Sequence, residues 1–75
     1  MKLYEFATLP EEQQYQTVWD LGKLVDNFKV GFVIFQLYAI NDFFVEIEYS
    51  EAENKILGKS AFKDGEKLEK YLPLP

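Results

Sequence analysis

Two runs rich in β-branched and aromatic residues occupy the middle of this chain, and they constrain its fold more than any other feature. The runs are residues 32–39 (FVIFQLYA) and 43–50 (FFVEIEYS), and the link at 40–42 contains the turn-forming pair Asn-Asp. Runs of this kind on either side of turn residues are typical of a β-hairpin. Any fold for this chain must therefore accommodate an antiparallel hairpin at its centre.

Two registers are open to this hairpin, and they differ in which side chains share a face. A three-residue loop places Leu37 opposite Val45 and makes one face wholly apolar. A two-residue loop places Leu37 opposite Glu46 and separates polar from apolar side chains less well. The three-residue register is therefore expected. Its outer face would hold Ile34, Gln36, Tyr38, Phe44, Glu46 and Glu48.

A helix is predicted before the hairpin. Thr8 and Glu11 have the spacing of a capping box, and the helix is expected from about Leu9 to Leu21. Gly22 is expected to end it in the left-handed conformation. The preceding residues, Leu3 to Phe6, predict a short extended or strand-like entry. One apolar stripe at helical spacing consists of Tyr15, Val18 and Trp19.

Two more strands are predicted around the hairpin. Residues 23–29 alternate as a strand does, although the helix could instead continue through Gly22 at a cost of roughly 1 kcal/mol. Residues 55–62 predict a fourth strand with its lysines toward solvent. Gly58 and Ser60 would then lie on the inner face, where a helix could approach closely.

The sequence as a whole predicts a single small α+β domain over residues 1–75. Its elements are an N-terminal helix, an antiparallel sheet of about four strands and a short C-terminal helix. Asp64 can cap that last helix, and its apolar stripe is Leu68, Tyr71 and Leu72. Both helices are expected to cover one sheet face, which leaves the other face at least partly wet.

Side chains suited to covalent chemistry are scarce. The 75 residues include no cysteine, histidine or arginine, which removes thiolate catalysis, cysteine-held metals and the commonest general base. Glu46 and Glu48 share one strand face about 7 Å apart, a separation near that of glycosidase carboxylates. So short a chain has no room for a sugar groove around them, and a solvated strand face is the favoured interpretation. We therefore expect no enzyme, no metal and no cofactor.

Charge is unevenly distributed along the chain. The net charge is −5, and five acids between residues 42 and 53 have no lysine among them. The functional interpretation is an acidic patch that steers the protein toward a basic partner. The alternative is that two of these acids pair across strands with Lys55 and Lys59 as ordinary surface charge. The five acids are Asp42, Glu46, Glu48, Glu51 and Glu53.

Two aromatic residues of the predicted outer face complete the candidate site. Tyr38 and Phe44 would lie among the strand carboxylates, and exposed aromatic residues are frequent hot spots of binding. The alternative is that the N-terminal residues or Leu72 to Pro75 cover this face. Stacking of single-stranded bases is disfavoured because the chain lacks arginine and the face is acidic. Direct nucleic-acid binding is therefore not expected.

No targeting or membrane segment is recognisable. The first residues lack the apolar stretch of a signal peptide. The longest apolar run, residues 32–40, is nine residues long and contains Gln36, whereas a membrane span needs roughly 20. A cytoplasmic protein without a membrane partner is expected.

Several short blocks resemble a loose group of small acidic proteins from prophages and mobile elements. The blocks are Leu3-Tyr4-Glu5-Phe6, the helix ending at Gly22, Phe43-Phe44-Val45-Glu46-Ile47-Glu48-Tyr49 and Ser60-Ala61-Phe62-Lys63-Asp64-Gly65. The resemblance covers roughly residues 3–72, implies an α+β fold and transfers no site residues. In size and charge the chain is similar to anti-CRISPR inhibitors, including those directed at RNA-targeting type VI-B nucleases.

That resemblance implies a function. The expected activity is non-enzymatic inhibition by a protein that docks on a basic defence nuclease or on its RNA complex. Glu46, Glu48 and the loop acids would steer the encounter, and Tyr38 and Phe44 would anchor it. The alternative is a structural module that associates with itself, for example as a homodimer through the outer sheet face.

Overall fold

Two helices followed by four strands make up residues 1–63, which are the residues that the computed structural model describes. The helices are α1 (Leu3–Ala7) and α2 (Glu11–Leu21). The strands are β1 (Lys23–Val30), β2 (Val33–Ile40), β3 (Phe43–Ser50) and β4 (Lys55–Phe62). The predicted α+β class and the antiparallel four-stranded sheet are confirmed. The predicted C-terminal helix lies outside the described residues.

Tight turns connect the strands into a meander of order β1-β2-β3-β4, in which every neighbouring pair is antiparallel. Each connection contains one residue with a left-handed backbone: Gly31 (φ 61°), Asn41 (φ 52°) and Asn54 (φ 53°). Glycine and asparagine adopt this conformation at lower cost than other residues. The position of each turn is therefore determined by the residues of the turn itself.

The predicted register of the central hairpin is wrong. Leu37 pairs with Glu46, and Ile40 pairs with Phe43, so the loop has two residues rather than three. Asn41 makes this tight loop possible because its backbone turns left-handed. The prediction assumed that polar and apolar side chains must separate between the two sheet faces. In the structure both faces carry buried side chains, and that assumption fails.

The register divides the sheet into two faces, since directly paired residues of antiparallel strands project to the same side. The helix face packs against α1 and α2, and its core residues are Tyr38, Ile40, Phe43, Val45 and Ile47. The second face lies on the opposite side and carries its own apolar cluster. The second face includes Phe28, Phe35, Leu37, Phe44, Glu46, Glu48 and Phe62.

Residues 3–6 form the first turn of α1 and not the predicted extended entry. The backbone N–H of Lys2 donates to Glu5 Oε1 at 2.8 Å, and the hydroxyl of Thr8 donates to the carbonyl of Glu5 at 2.8 Å. These local bonds satisfy groups at both ends of a very short helix. The helix is held by Phe6, which is 2% exposed and packs against Phe43 with ring centroids 5.5 Å apart.

The predicted helix before the hairpin is confirmed as α2, but both of its predicted end signals are wrong. Pro10 occupies the N-cap position, and Thr8 belongs to the C-cap of α1. Gly22 ends the helix with an extended backbone, φ −74° and ψ 144°. The backbone of Gly22 is not left-handed, so its conformation does not require glycine. Glycine is required here because a side chain would have no space.

The fourth strand is confirmed, but its predicted inner side is reversed. Gly58 pairs with Glu48 and Ser60 pairs with Glu46, so both lie on the second face, away from the helices. Lys59 and Ala61 lie on the helix face. Neither helix in the described part of the chain is long and apolar enough to cross a membrane.

Candidate protein-binding surface

The two aromatic residues predicted as anchors lie on opposite sides of the sheet. Tyr38 belongs to the helix face, where it packs against the main core. Phe44 belongs to the second face, and its ring lies 6.1 Å from that of Phe62. The predicted common outer face therefore does not exist. It was a consequence of the wrong hairpin register, which placed Tyr38 and Phe44 on one side.

Three of the five predicted acids are exposed and form ion pairs. Asp42 contacts Lys63 at 3.3 Å, at the turn between β2 and β3. At the other end of the sheet, Glu51 contacts Lys29 at 2.6 Å and Glu53 contacts Lys55 at 3.2 Å. An eight-residue strand separates the two ends by about 25 Å. These acids therefore form no single patch.

The remaining two acids, Glu46 and Glu48, lie on the second face of β3. Glu46 is 1% exposed and Glu48 is half-buried. The cross-strand pairs predicted as the alternative are absent within residues 1–63, because Glu46 lies opposite Ser60 and Glu48 opposite Gly58. Glu46 is therefore a buried carboxylate and not a surface charge.

An exposed aromatic cluster lies where the end of α2 meets β2. The indole of Trp19 stacks on the ring of Tyr15, with centroids 6.4 Å apart and planes 24° apart. Trp19 also meets Tyr38 in an edge-on contact at 5.9 Å. Trp19 is the only tryptophan of the chain, and it remains 48% exposed. We call Tyr15, Trp19, Tyr38 and Leu24 the Trp19 cluster.

Leu24 extends this cluster onto the edge of the sheet. It pairs with Tyr38 across β1 and β2 and is therefore on the helix face. Its side chain is 51% exposed, and that of Leu21, at the end of α2, is 57% exposed. Large apolar side chains are thus accessible both at the end of α2 and on β1. Such grouping is more informative than a lone exposed apolar residue.

The absence of a side chain at Gly22 allows the close contact between α2 and β2. A Cβ at this position would lie 2.6 Å from the carbonyl oxygen of Val18 and 3.3 Å from the Cβ of Tyr38. Both distances are shorter than ordinary van der Waals contacts, and the first involves rigid backbone. Gly22 therefore sets the distance at which Trp19 meets Tyr38.

The surface of α2 around this cluster is acidic. Glu11, Glu12 and Asp20 are all exposed, and the eleven residues of the helix contain no lysine. Asp20 accepts a hydrogen bond from the amide of Gln16 at 2.9 Å. Glu12 lies seven residues before Trp19 and hence on the same side of the helix. The indole is therefore accompanied by negative charge on its own helix.

Tyr15 links the cluster to β4, the strand at the other edge of the sheet. The ammonium of Lys59 lies 4.6 Å from the centre of the Tyr15 ring, within the range of a cation–π contact. Burial, together with the negative charge of Glu11, raises the pKa of Tyr15 above its usual value of 10.0. Both influences favour the neutral phenol over the phenolate.

The apolar stripe predicted for the helix includes Trp19, and it wrongly assigns this residue to the core. Consecutive residues of a helix are about 100° apart around its axis. Val18 is 1% exposed and therefore points at the core, which leaves the next residue at the margin of the buried stripe. The signal that could have identified it is this angular offset, together with the acid Asp20 that follows it.

A shallow depression of about 260 Å³ lies beside the cluster, between α1 and β4. It is lined by Phe6, Ala7, Gln14, Lys59 and Ala61. Among the described residues of that lining, Lys59 is the one titratable side chain, whereas acid–base catalysis generally needs a positioned pair. Within residues 1–63, no group of three or more acidic, histidine or cysteine side chains is arranged to hold a metal ion.

Comparison with protein-family models, with curated proteins and with solved structures finds no match for this chain. The function must therefore be argued from the geometry of the surface itself. That geometry combines a half-exposed indole, two exposed leucines and three acids on one helix.

Proposed function

We propose that this protein acts without catalysis, by docking the Trp19 cluster and the acidic surface of α2 on a basic partner protein. The observation that carries the proposal is the exposure of Trp19, which is held in place by two aromatic contacts and yet remains 48% accessible. Tryptophan is among the residues most enriched at the centres of binding interfaces. A rigid, accessible indole loses little entropy when it binds.

The charge of the surface supports a basic partner. Glu11, Glu12 and Asp20 contribute negative charge beside the indole, and the whole chain has a net charge of −5. Complementary potentials raise the rate of encounter and discriminate against partners of the same sign. The paired acids Asp42, Glu51 and Glu53 add to the long-range field and less to the local contact, since each already has a lysine beside it.

The partner that we propose is a nucleic-acid-binding nuclease of a bacterial defence system, with inhibition as the outcome. The resemblance to small acidic proteins of prophages and mobile elements supports this class. An RNA-targeting type VI-B nuclease is the first partner to test. A cationic RNA-binding groove would offer both the charge and the arginine side chains that stack on aromatic rings.

The proposal is tested by measuring binding to the purified nuclease by calorimetry and inhibition by RNA cleavage. Trp19→Ala should reduce affinity at least tenfold, a typical loss for a hot-spot residue. Phe32→Ala is the matched control, because Phe32 is 69% exposed at the distant β1–β2 turn. Equal affinity of the wild type and Trp19→Ala would exclude the Trp19 cluster as the anchor. Binding without inhibition would exclude the inhibitory function.

Self-association is the second candidate, and it is favoured by the outer edge of β1. This strand is at one edge of the sheet, and its side chains Leu24, Val25 and Val30 are 38–59% exposed. A bulge at Val25 interrupts the edge, and such bulges usually discourage strand pairing. Light scattering separates the two candidates, because a monomer at high concentration contradicts self-association.

A further inference from the structure

We infer that the exposed part of the Trp19 indole is a binding site for the guanidinium group of an arginine side chain, and that this site selects arginine over lysine. The inference rests on the proposed function, since it names the chemical group through which a basic partner is recognised. A guanidinium is bound best by a flat aromatic surface with carboxylates beside it. Both features occur together on the outer surface of α2.

The aromatic surface is held in place and already binds one cation within the fold. Trp19 packs against Tyr15 and Tyr38, with ring centroids 6.4 and 5.9 Å away. The ammonium of Lys59 lies 4.6 Å from the centre of the Tyr15 ring, which is a cation–π distance. This internal cation repels a second cation at Tyr15. An incoming cation is therefore directed to the indole, which is the stronger cation–π partner and is 48% exposed.

A row of polar side chains borders the indole on the surface of α2. Helix residues three or four positions apart are neighbours, so Glu12, Gln16 and Asp20 form one row, next to the row of Tyr15 and Trp19. All three residues of the polar row are exposed. The amide of Gln16 donates a hydrogen bond to Asp20 Oδ1 at 2.9 Å. This bond ties the Asp20 carboxylate to a residue that is itself a direct neighbour of Trp19.

The carboxylates of this row can accept hydrogen bonds from a ligand. A carboxylate offers about four lone-pair sites, and the hydrogen bond from Gln16 occupies one of those on Asp20. Among residues 1–63, the ion pairs with lysines involve the acids of the sheet turns and none of the acids of α2. The negative charge of α2 is therefore not neutralised by a lysine contact within that part of the chain.

These features favour arginine over lysine. A guanidinium is planar and weakly hydrated, so it stacks on an aromatic ring while its N–H groups donate to a carboxylate. An ammonium is compact and strongly hydrated, and it matches the charge of the site but not its flat surface. The expected preference for arginine is about tenfold in affinity, which is the size of one good cation–π contact.

Three synthetic peptides of equal length test the inference on the full chain. Their repeating units are glycine–arginine, glycine–lysine and glycine–citrulline, so lysine matches the charge of arginine and citrulline matches its shape. The indole N–H signal of Trp19, the only tryptophan, reports binding by NMR. The arginine peptide should bind about tenfold more tightly than the lysine peptide, and more tightly still than the citrulline peptide. Affinity for either other peptide equal to that for the arginine peptide would overturn the inference.

Two variants separate the site from the overall charge. Glu12→Gln with Asp20→Asn removes two charges beside the indole, and it should reduce the preference for arginine at least threefold, since the guanidinium loses its acceptors. Glu51→Gln with Glu53→Gln removes two charges at the distant β3–β4 turn, and it should weaken both cationic peptides equally. All four side chains are exposed, so both variants should fold, which circular dichroism checks. An unchanged preference in the first variant would contradict the inference.

The peptide experiment contains no nuclease, so its failure is distinct from failure of the proposed function. A preference for arginine without binding to the nuclease would support this site and exclude the chosen partner. Equal affinity for the arginine and lysine peptides, together with nuclease binding that depends on Trp19, would support the docking surface and overturn the arginine site.

Discussion

Trp19 meets Tyr38 edge-on, with ring centroids 5.9 Å apart and ring planes 76° apart. This contact joins the last turn of α2 to the middle of the sheet, and it leaves nearly half of the indole accessible. The contact is therefore both structural and available to a partner. Those two roles have different energetic consequences, which mutations can separate.

Trp19→Ala should destabilise the fold by about 2 kcal/mol, since the contacts with Tyr15 and Tyr38 and the buried half of the indole are lost. The matched variant is Phe6→Ala, which removes a side chain that is 2% exposed in the core and should cost about 3–5 kcal/mol. Urea unfolding followed by circular dichroism measures both. A loss as large for Trp19→Ala as for Phe6→Ala would mean that Trp19 is mainly a core residue.

Gly22→Ala should destabilise the protein by about 1–3 kcal/mol, because its Cβ would clash with the carbonyl of Val18 and press on Tyr38. Gly58→Ala is the matched control. A Cβ at Gly58 meets nothing within 4 Å, so this variant should be neutral or more stable by about 0.4–1 kcal/mol. Thermal unfolding compares the two variants. Equal melting temperatures would contradict the close approach of α2 to β2.

Much of the fold could be predicted from local sequence signals, because they act over short distances. The strands of the central hairpin follow from β-rich runs, and the turns follow from Gly31 and Asn41. The register failed because it was chosen by the separation of polar from apolar side chains. Leu37 and Glu46 share a face and are both buried, which only tertiary context can decide.

The candidate site was harder to predict than the fold. Tyr38 and Phe44 were grouped by that register, and the grouping disappeared with it. Trp19 and Tyr38 are 19 positions apart in the sequence. The apolar periodicity of α2 or of β2, taken alone, does not predict that these two side chains are in contact. The acids can be counted in the sequence. Their ion pairs with lysines, however, depend on which strand ends lie close together in the fold. The composition of the candidate site therefore depends on contacts between residues that are distant in the sequence.

Glu46→Lys should be among the most damaging single substitutions, with a loss of about 3–5 kcal/mol, since it places an opposite charge in a fully buried position. Glu51→Lys is the matched charge reversal at an exposed position. Because Glu51 forms a surface ion pair with Lys29, its reversal should cost only about 0–1 kcal/mol. Chemical unfolding measures the difference. Similar costs for the two variants would contradict the burial of Glu46.

The stability of the protein should decline above about pH 10, in part because of Tyr15. Burial and the charge of Glu11 raise the pKa of this phenol in the folded state, whereas the unfolded chain ionises at the ordinary value of 10.0. Between the two pKa values the folded state binds more protons than the unfolded state, so the free energy of unfolding falls as the pH rises. Below the unfolded pKa the contribution is fully present.

Other groups also titrate at high pH, and the contribution of Tyr15 is therefore isolated by difference. The free energy of unfolding of the wild type should fall more steeply from pH 9.5 to pH 11, the range bracketing the phenol's ordinary value near 10, than that of Tyr15→Phe. Glu11→Gln should give an intermediate slope, because it removes the smaller of the two causes and leaves the burial. Parallel profiles for the wild type and Tyr15→Phe would show that the folded environment does not favour the neutral phenol.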